Sequence, residues 1–442
     1  MTSSRPRWVM LFVLLVVVLG CYLRLIAMEQ TRIEDPIRGD ARIYVSYAFN
    51  LQHFGVFSNQ IPDTPEKAPV PDAFVPPGYP LFLSELFDFK QINASVIRIG
   101  YVQALLSLVT LLVYWLLFRR FLTPAWALAA AFLTAICPHL VNASVYLLTE
   151  TLFTLALALL LLALDQAERS RKPALFVVAG VLLGTATLIR PTTLLFLLPL
   201  ALWLWWTPGT PGSRFKRLLL IALPFVVMQG AWMARNLRET GHASDPALSA
   251  SFIQHGSYVN LEYDDRPESY GYPYRFDPDN DRIHGKPDLI LRSLLERARR
   301  APLKYLQWYA LGKPVQFLAW NLTESIGDAF IYAPARTPYA DQPVFLATHA
   351  LAQIAHWPLV ALALITALAC LWRPPANTTA TLFALCLLYF IGFHMIGAPF
   401  PRYSIPVRPV LYGLAMFGPQ AVMAMWVRRR SHPSRAGAAA AG

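Results

Sequence analysis

Hydrophobic positions along this chain fall into long runs rather than into a two- or four-residue alternation. A membrane-crossing helix needs about 20 mostly apolar residues. Ten stretches meet or approach that length: 8–28, 96–118, 121–140, 145–164, 174–190, 191–206, 216–234, 344–372, 378–398 and 405–427. Two of them are short, and Pro191 predicts a break at 190/191, because the residue before a proline is pushed out of the helical region. The polar positions between the runs are distributed unequally. Two long segments, 29–95 and 235–343, contrast with short connections elsewhere.

Within 29–95, "IRGDARIYVSYAFN" (37–50) predicts a helix opened by Asp40. Positions 40, 44, 47, 51 and 54 then share one stripe at helical spacing, reading Asp, Tyr, Tyr, Leu, Phe. "APVPDAFVPPGYPLFLSEL" (68–86) predicts a rigid proline turn feeding a second surface helix. "LKYLQWYALGKPVQFLAW" (303–320) is apolar enough to suggest an eleventh span. The reading adopted is a helix lying in the membrane interface, with Trp308, Tyr309 and Trp320 at headgroup depth.

Composition turns this pattern into a class. Only 14% of the 442 residues are charged, 56% are hydrophobic, and the mean hydropathy is +0.42. A soluble domain is about 25% charged. The fold class expected is therefore an all-α polytopic membrane protein with about ten transmembrane helices. It would have two long extracytoplasmic loops containing juxtamembrane helices. The expected organisation is one transmembrane domain over 1–430 and a disordered cytoplasmic tail at 431–442.

The net charge of +12 does not point to nucleic acid. Its lysines and arginines cluster in short connections: "FRRF" (118–121), "ERSRKP" (168–173), "SRFKR" (213–217), "LWRPP" (371–375) and "VRRR" (427–430). If the helices alternate, these share one side, which the positive-inside bias makes the cytoplasm. The long segments then face outward together. All four cysteines lie in apolar runs without paired spacing, so neither a disulfide framework nor a zinc site is indicated. His349 and His356 read as packing or capping residues. No nucleotide-binding glycine motif is present, nothing calls for a cofactor, and the sequence is silent on a divalent metal.

Chemistry concentrates on the outer face. Asp40 has two open readings, a helix cap and a catalytic acid or base. Glu150, Arg190, Arg235 and Arg402 stand at the outer ends of helices. Lys67 precedes the proline turn, as either a phosphate contact or a solvated side chain. Carboxylates, cations and apolar walls together suit a substrate with an anionic head and a greasy tail. A transporter or flippase for a lipid-linked saccharide is the alternative to an enzyme.

In order along the chain, the stretches "RGDARIYVSYAFNL", "PPGYPLFL", "TETLFTLAL", "LIRPTTLLFLLP", "WMARNLRETG" and "PRYSIPVRP" resemble the polytopic GT-C glycosyltransferases that use lipid-phosphate sugars. The nearest likeness is to the bacterial branch related to dolichyl-phosphate-mannose protein mannosyltransferases and the lipid A aminoarabinose transferase. The resemblance implies catalytic roles for Asp40 and Glu150. It implies donor-phosphate contacts from Arg235, Arg402, Lys67 and Arg190, and substrate contacts from Tyr44, Tyr79 and Tyr403. It further implies a polyprenyl-phosphate sugar as donor and a lipid, glycan or protein as acceptor. The expected location is the bacterial inner membrane, with the site facing the periplasm.

Overall fold

The computed structural model describes residues 7–61, 64, 67–323 and 326–431. The expected tail lies, after its first residue, outside the described residues. Among the described residues the chain is helical without a named strand. The helices are α1 (Arg7–Gln30), α2 (Asp40–Phe54), α3 (Gly78–Leu86), α4 (Ile92–Phe118), α5 (Pro124–Ile136), α6 (Pro138–Ala143), α7 (Glu150–Ser170), α8 (Pro173–Ile189), α9 (Leu197–Trp206) and α10 (Pro211–Thr240). The second long segment supplies α11 (Ala247–Gly256), α12 (Asn280–Ile283), α13 (Pro287–Arg300), α14 (Pro302–Gln307) and α15 (Lys313–Phe317). The last spans are α16 (Pro343–Trp372), α17 (Thr378–Ile396) and α18 (Arg408–Ser431).

Many of these helices begin with proline, whose fixed φ suits the first helical turn and whose missing N–H costs nothing there. Among the described residues, seven helices are long and apolar enough to cross a membrane, and α5, α8 and α9 are shorter apolar helices. These ten correspond to the ten expected runs, so the chain is a polytopic integral membrane protein. α9 has ten residues and so spans about 15 Å, half of a hydrocarbon core of about 30 Å. The break at 190/191 is present: α8 stops at Ile189 and a 3₁₀ turn, Pro191–Thr193, follows.

α7 is the most buried of the spans and packs against α4 and α8. Its two ends anchor two separate charge clusters. At its C-terminal end, Asp165 accepts hydrogen bonds from Arg169 (2.9 Å) and Thr379, and Arg120 lies 3.4 Å away. Glu168 pairs there with Arg217 (2.7 Å) and Arg171 (2.6 Å). Three of the basic connections thus meet at one end of the bundle. Glu150, at the other end of α7, belongs to the second cluster.

The 303–320 segment differs from expectation. It is α14, a π turn over Trp308–Gly312 and α15, with Trp308 and Trp320 turned into the protein at 3% and 6% exposure. Trp308 Nε1 donates to Gly256 O (3.1 Å), and Trp320 is packed by His139, His349 and His356. The exposed large hydrophobic side chains are Leu303, Leu306, Leu311 and Val315. An indole N–H needs a partner when buried, and here backbone and Asp328 supply it. Both histidines pack as expected, His349 on Asp328 (2.8 Å) and His356 on Leu318 O (2.8 Å).

Candidate active site

Two glycines set the local geometry. Gly39, just before α2, has φ 53° and ψ −129°, a conformation that side chains resist. It turns the chain so that Asp40 is the first helical residue. The cap reading of Asp40 fails, because no side chain caps this helix and the carboxylate instead receives Arg402. Gly78 opens α3 where it meets the end of α8; a Cβ there would stand 2.8 Å from Leu188 O and 3.0 Å from Ile189 N. The Pro-Pro-Gly turn thereby lets α3 abut the residues that carry Arg190.

Around this junction lies a cavity of about 470 Å³. One end is ionic, formed by Asp40, Arg190 and Arg402, with Tyr44 and Tyr403 beside them. The remainder is mostly apolar, including Val75, Leu194, Leu195, Phe252 and Phe393. Arg402 and Tyr403 come from a 3₁₀ segment, Pro401–Val407, that two prolines stiffen ahead of α18. Asp40 is bonded by Arg402 Nη2 and keeps 41% of its side chain exposed. Glu150 is 1% exposed; its Oε1 accepts from Arg190 Nη1 (3.1 Å) and lies 3.6 Å from Arg402 Nε. Tyr403 is flanked by both cations, with Arg190 and Arg402 at 4.9 and 5.3 Å from its ring centre. His394 stacks on Tyr403 at 5.1 Å.

Burial alone raises an acid's pKa, yet the guanidinium of Arg402, with Arg190 behind it, holds the Asp40 carboxyl below its usual value. Burial pushes the Tyr44 phenol up, so it stays protonated and can only donate or accept a hydrogen bond. The chemical capacity of the arrangement is clear. One accessible carboxylate stands beside two cations, and a buried carboxylate orients those cations.

The sequence expectations divide. Asp40, Tyr44, Arg190, Arg402 and Tyr403 line the cavity, with Glu150 directly behind the arginines. Tyr79 does not line it; fully buried, it donates to Gln103 Oε1 (2.9 Å) and packs edge-on against Tyr44 (5.1 Å). Arg235 requires correction. It donates to Asp72 O (2.7 Å) and Phe57 O (3.2 Å), with its guanidinium over Phe57 and Trp232, so it ties the first long loop to α10. Lys67 is exposed on that loop and does not line the cavity. The sequence reading missed the wall from α11, where Ser249, Phe252 and His255 face the cavity. Burial pushes the His255 imidazole down to about 4, so it is neutral near pH 7. Among the described residues, no three His, Cys, Asp or Glu side chains gather as a metal site.

Fold and site together define an all-helical polytopic membrane protein whose cavity joins an ion-paired carboxylate and two guanidinia to apolar walls. Residues 75–232 match the family model described as dolichyl-phosphate-mannose-protein mannosyltransferase, a little over a third of the chain. That stretch holds Glu150 and Arg190 but neither Asp40 nor Arg402. The chain is similar to the archaeal oligosaccharyltransferase AglB from Archaeoglobus fulgidus, solved with an inhibitory peptide and a dolichol-phosphate. There the identity is 14%, the TM-score 0.51, and the coverage 97% of this chain and 52% of that one. The apo form of the Archaeoglobus fulgidus oligosaccharyltransferase gives 13%, 0.52, 93% and 50%. ArnT from Cupriavidus metallidurans, bound to undecaprenyl phosphate, gives 17%, 0.39, 95% and 79%. The chain thus spans about half the length of the archaeal oligosaccharyltransferases it matches. No curated protein sequence matches it significantly.

Proposed function

We propose that this protein is an inverting glycosyltransferase that moves a sugar from a polyprenyl-phosphate donor to an acceptor hydroxyl at the extracytoplasmic membrane face. The observation that carries the reading is one cavity with a carboxylate and two guanidinia at one end and apolar walls along the rest. A lipid phosphate has the same division. The described match to a mannosyltransferase family and the dolichol-phosphate held by AglB favour the same donor class.

In the reaction, the acceptor hydroxyl attacks the anomeric carbon from the face opposite the phosphate. The carbon–oxygen bond to phosphate breaks, its electron pair leaves on the phosphate, and Asp40 takes the hydroxyl proton. Arg190 and Arg402 stabilise the charge that develops on the departing phosphate. Glu150, too buried to meet substrate, holds the arginines in place. The bond energy of the donor drives transfer, so no nucleotide is consumed at this site. The acceptor is a lipid, glycan or protein hydroxyl, and the setting is the bacterial inner membrane with the cavity facing the periplasm.

The test is turnover of candidate polyprenyl-phosphate sugars by purified Asp40→Asn protein. General-base removal should lower kcat by about 10²–10⁴, with folding and donor binding retained. Full turnover by a folded variant would overturn the assignment.

A further inference from the structure

Asp40 and Arg402 are each other's partner in the structure, yet the proposed chemistry needs both for something else. A base must accept a proton, which a guanidinium bonded to it opposes, and a phosphate clamp must turn its N–H groups to the phosphate. The elements around Asp40 each contribute a charged or titratable group. Arg402 comes from the 401–407 turn, Arg190 from the end of α8 and Glu150 from the start of α7. Tyr332 comes from the segment before α16, and Tyr44 from the next turn of α2 itself. Of these, Arg402 is the one bonded to the Asp40 carboxylate. With two carboxylates and two guanidinia, the ionic end of the cavity is neutral as it stands.

A donor phosphodiester brings one negative charge into that neutral group. The two arginines are not equivalent hosts. Arg190 is committed to the buried Glu150 at 3.1 Å and stacks on Tyr403. Arg402 lies between the buried Glu150, at a looser 3.6 Å, and the accessible Asp40. Asp40 is therefore the partner that a cavity anion can displace.

Resting on the reading of the cavity as a lipid-phosphate site, we propose that Arg402 serves Asp40 and the donor phosphate in turn. Asp40 becomes a competent base only after the phosphate has taken the guanidinium. No covalent bond changes in this step: Arg402 exchanges a carboxylate acceptor for a phosphate oxygen, and Asp40 loses the bonded cation that opposes its protonation. Catalysis is then ordered, donor before acceptor, and the base is quenched while the donor site is empty. The lowered Asp40 pKa, which makes the carboxylate a weaker base, agrees with the quenched state.

The probe is a short-chain prenyl methyl phosphodiester, which keeps one charge across the working pH range. Its binding to the full-length protein in detergent is measured by titration calorimetry in buffers of different ionisation enthalpy. Wild type should take up a fraction of a proton per probe bound near pH 4, within the ordinary carboxylate range, and Asp40→Asn should take up none. Asp40→Asn should also bind the probe several-fold tighter, because Arg402 is no longer shared; a merely structural ion pair predicts unchanged or weaker binding. Arg402→Lys, which keeps the charge, should retain proton uptake, and Arg402→Gln should lose it. Binding without uptake, or with no tightening in Asp40→Asn, overturns the exchange while leaving the lipid-phosphate reading intact. Failure of wild type to bind the probe overturns both.

Discussion

Glu150 brings two like charges to one wall. One of its two oxygens, Oε1, faces both guanidinia, and with 1% of the side chain exposed it has no route to substrate. Removing one partner of a buried pair typically costs about 3–5 kcal/mol. Glu150→Gln should therefore lower thermal stability and raise the donor KM more than it lowers kcat, which steady-state kinetics separates. Gly39→Ala acts on Asp40 from outside the site. Forcing a side chain into that backbone conformation costs about 1–3 kcal/mol, and its Cβ would press on Tyr332 Oη at 3.2 Å. The expected result is reduced kcat in a protein that still assembles in the membrane. Asp40 also fixes a pH response. Its folded pKa lies below the usual value, so its ionised form, and the stability of its ion pair, is fully present above about pH 3.9 and is lost as pH falls through the folded value. The Asp40 limb of kcat/KM for the donor should thus appear only in strongly acid buffer, which a pH–rate profile reads directly.

At the scale of elements, one side chain ties α15 to the end of α17 by hydrogen bonds. Lys313 Nζ donates to Met395 O (2.9 Å) and Gly397 O (3.1 Å), the unsatisfied carbonyls at the end of α17, and lies 3.6 Å from the Tyr309 ring centre. Burial lowers its ammonium to about 7. The unfolded chain keeps that proton to about pH 10.4. Between these values the unfolded state binds more protons, so this residue's contribution to stability rises with pH. Lys313→Met should flatten that rise in thermal denaturation between pH 7 and 9. The apolar spans were legible because a bilayer demands long runs that periodicity cannot disguise. The start of α2 at Asp40 and the proline turn before α3 were legible because they depend on local backbone preferences. Side-chain direction was not. Arg235 sits at the outer end of α10 as expected, but the 57–72 loop claims it before it can reach the cavity. The tryptophans of 303–320 turned inward because histidines thirty residues away receive one of them, a contact with no local signature. The α11 wall was unreadable for the same reason: it is made by long-range docking of a loop.

Across the whole molecule, α7 separates two clusters of ionised side chains. One gathers Arg120, Asp165, Arg169, Glu168 and Arg217, the other Asp40, Glu150, Arg190 and Arg402. For the second to form, the end of α8 and the entries to α2, α7 and α18 must lie on one side. Reporter fusions after residues 60 and 290 should accordingly report together, opposite to fusions after 170 and 430. A split between 60 and 290 would dismantle the proposed site.

The cavity also has a side wall. Leu194 and Leu195 line it while remaining 48% and 46% exposed on the flank where α8 gives way to the short α9. A donor that enters past them never leaves the bilayer, so the search for substrate is two-dimensional. Its supply is counted per lipid rather than per litre. At fixed total donor and enzyme, added inert phospholipid should slow turnover by dilution within the surface. The apparent KM should then be constant only as a mole fraction of donor in the membrane.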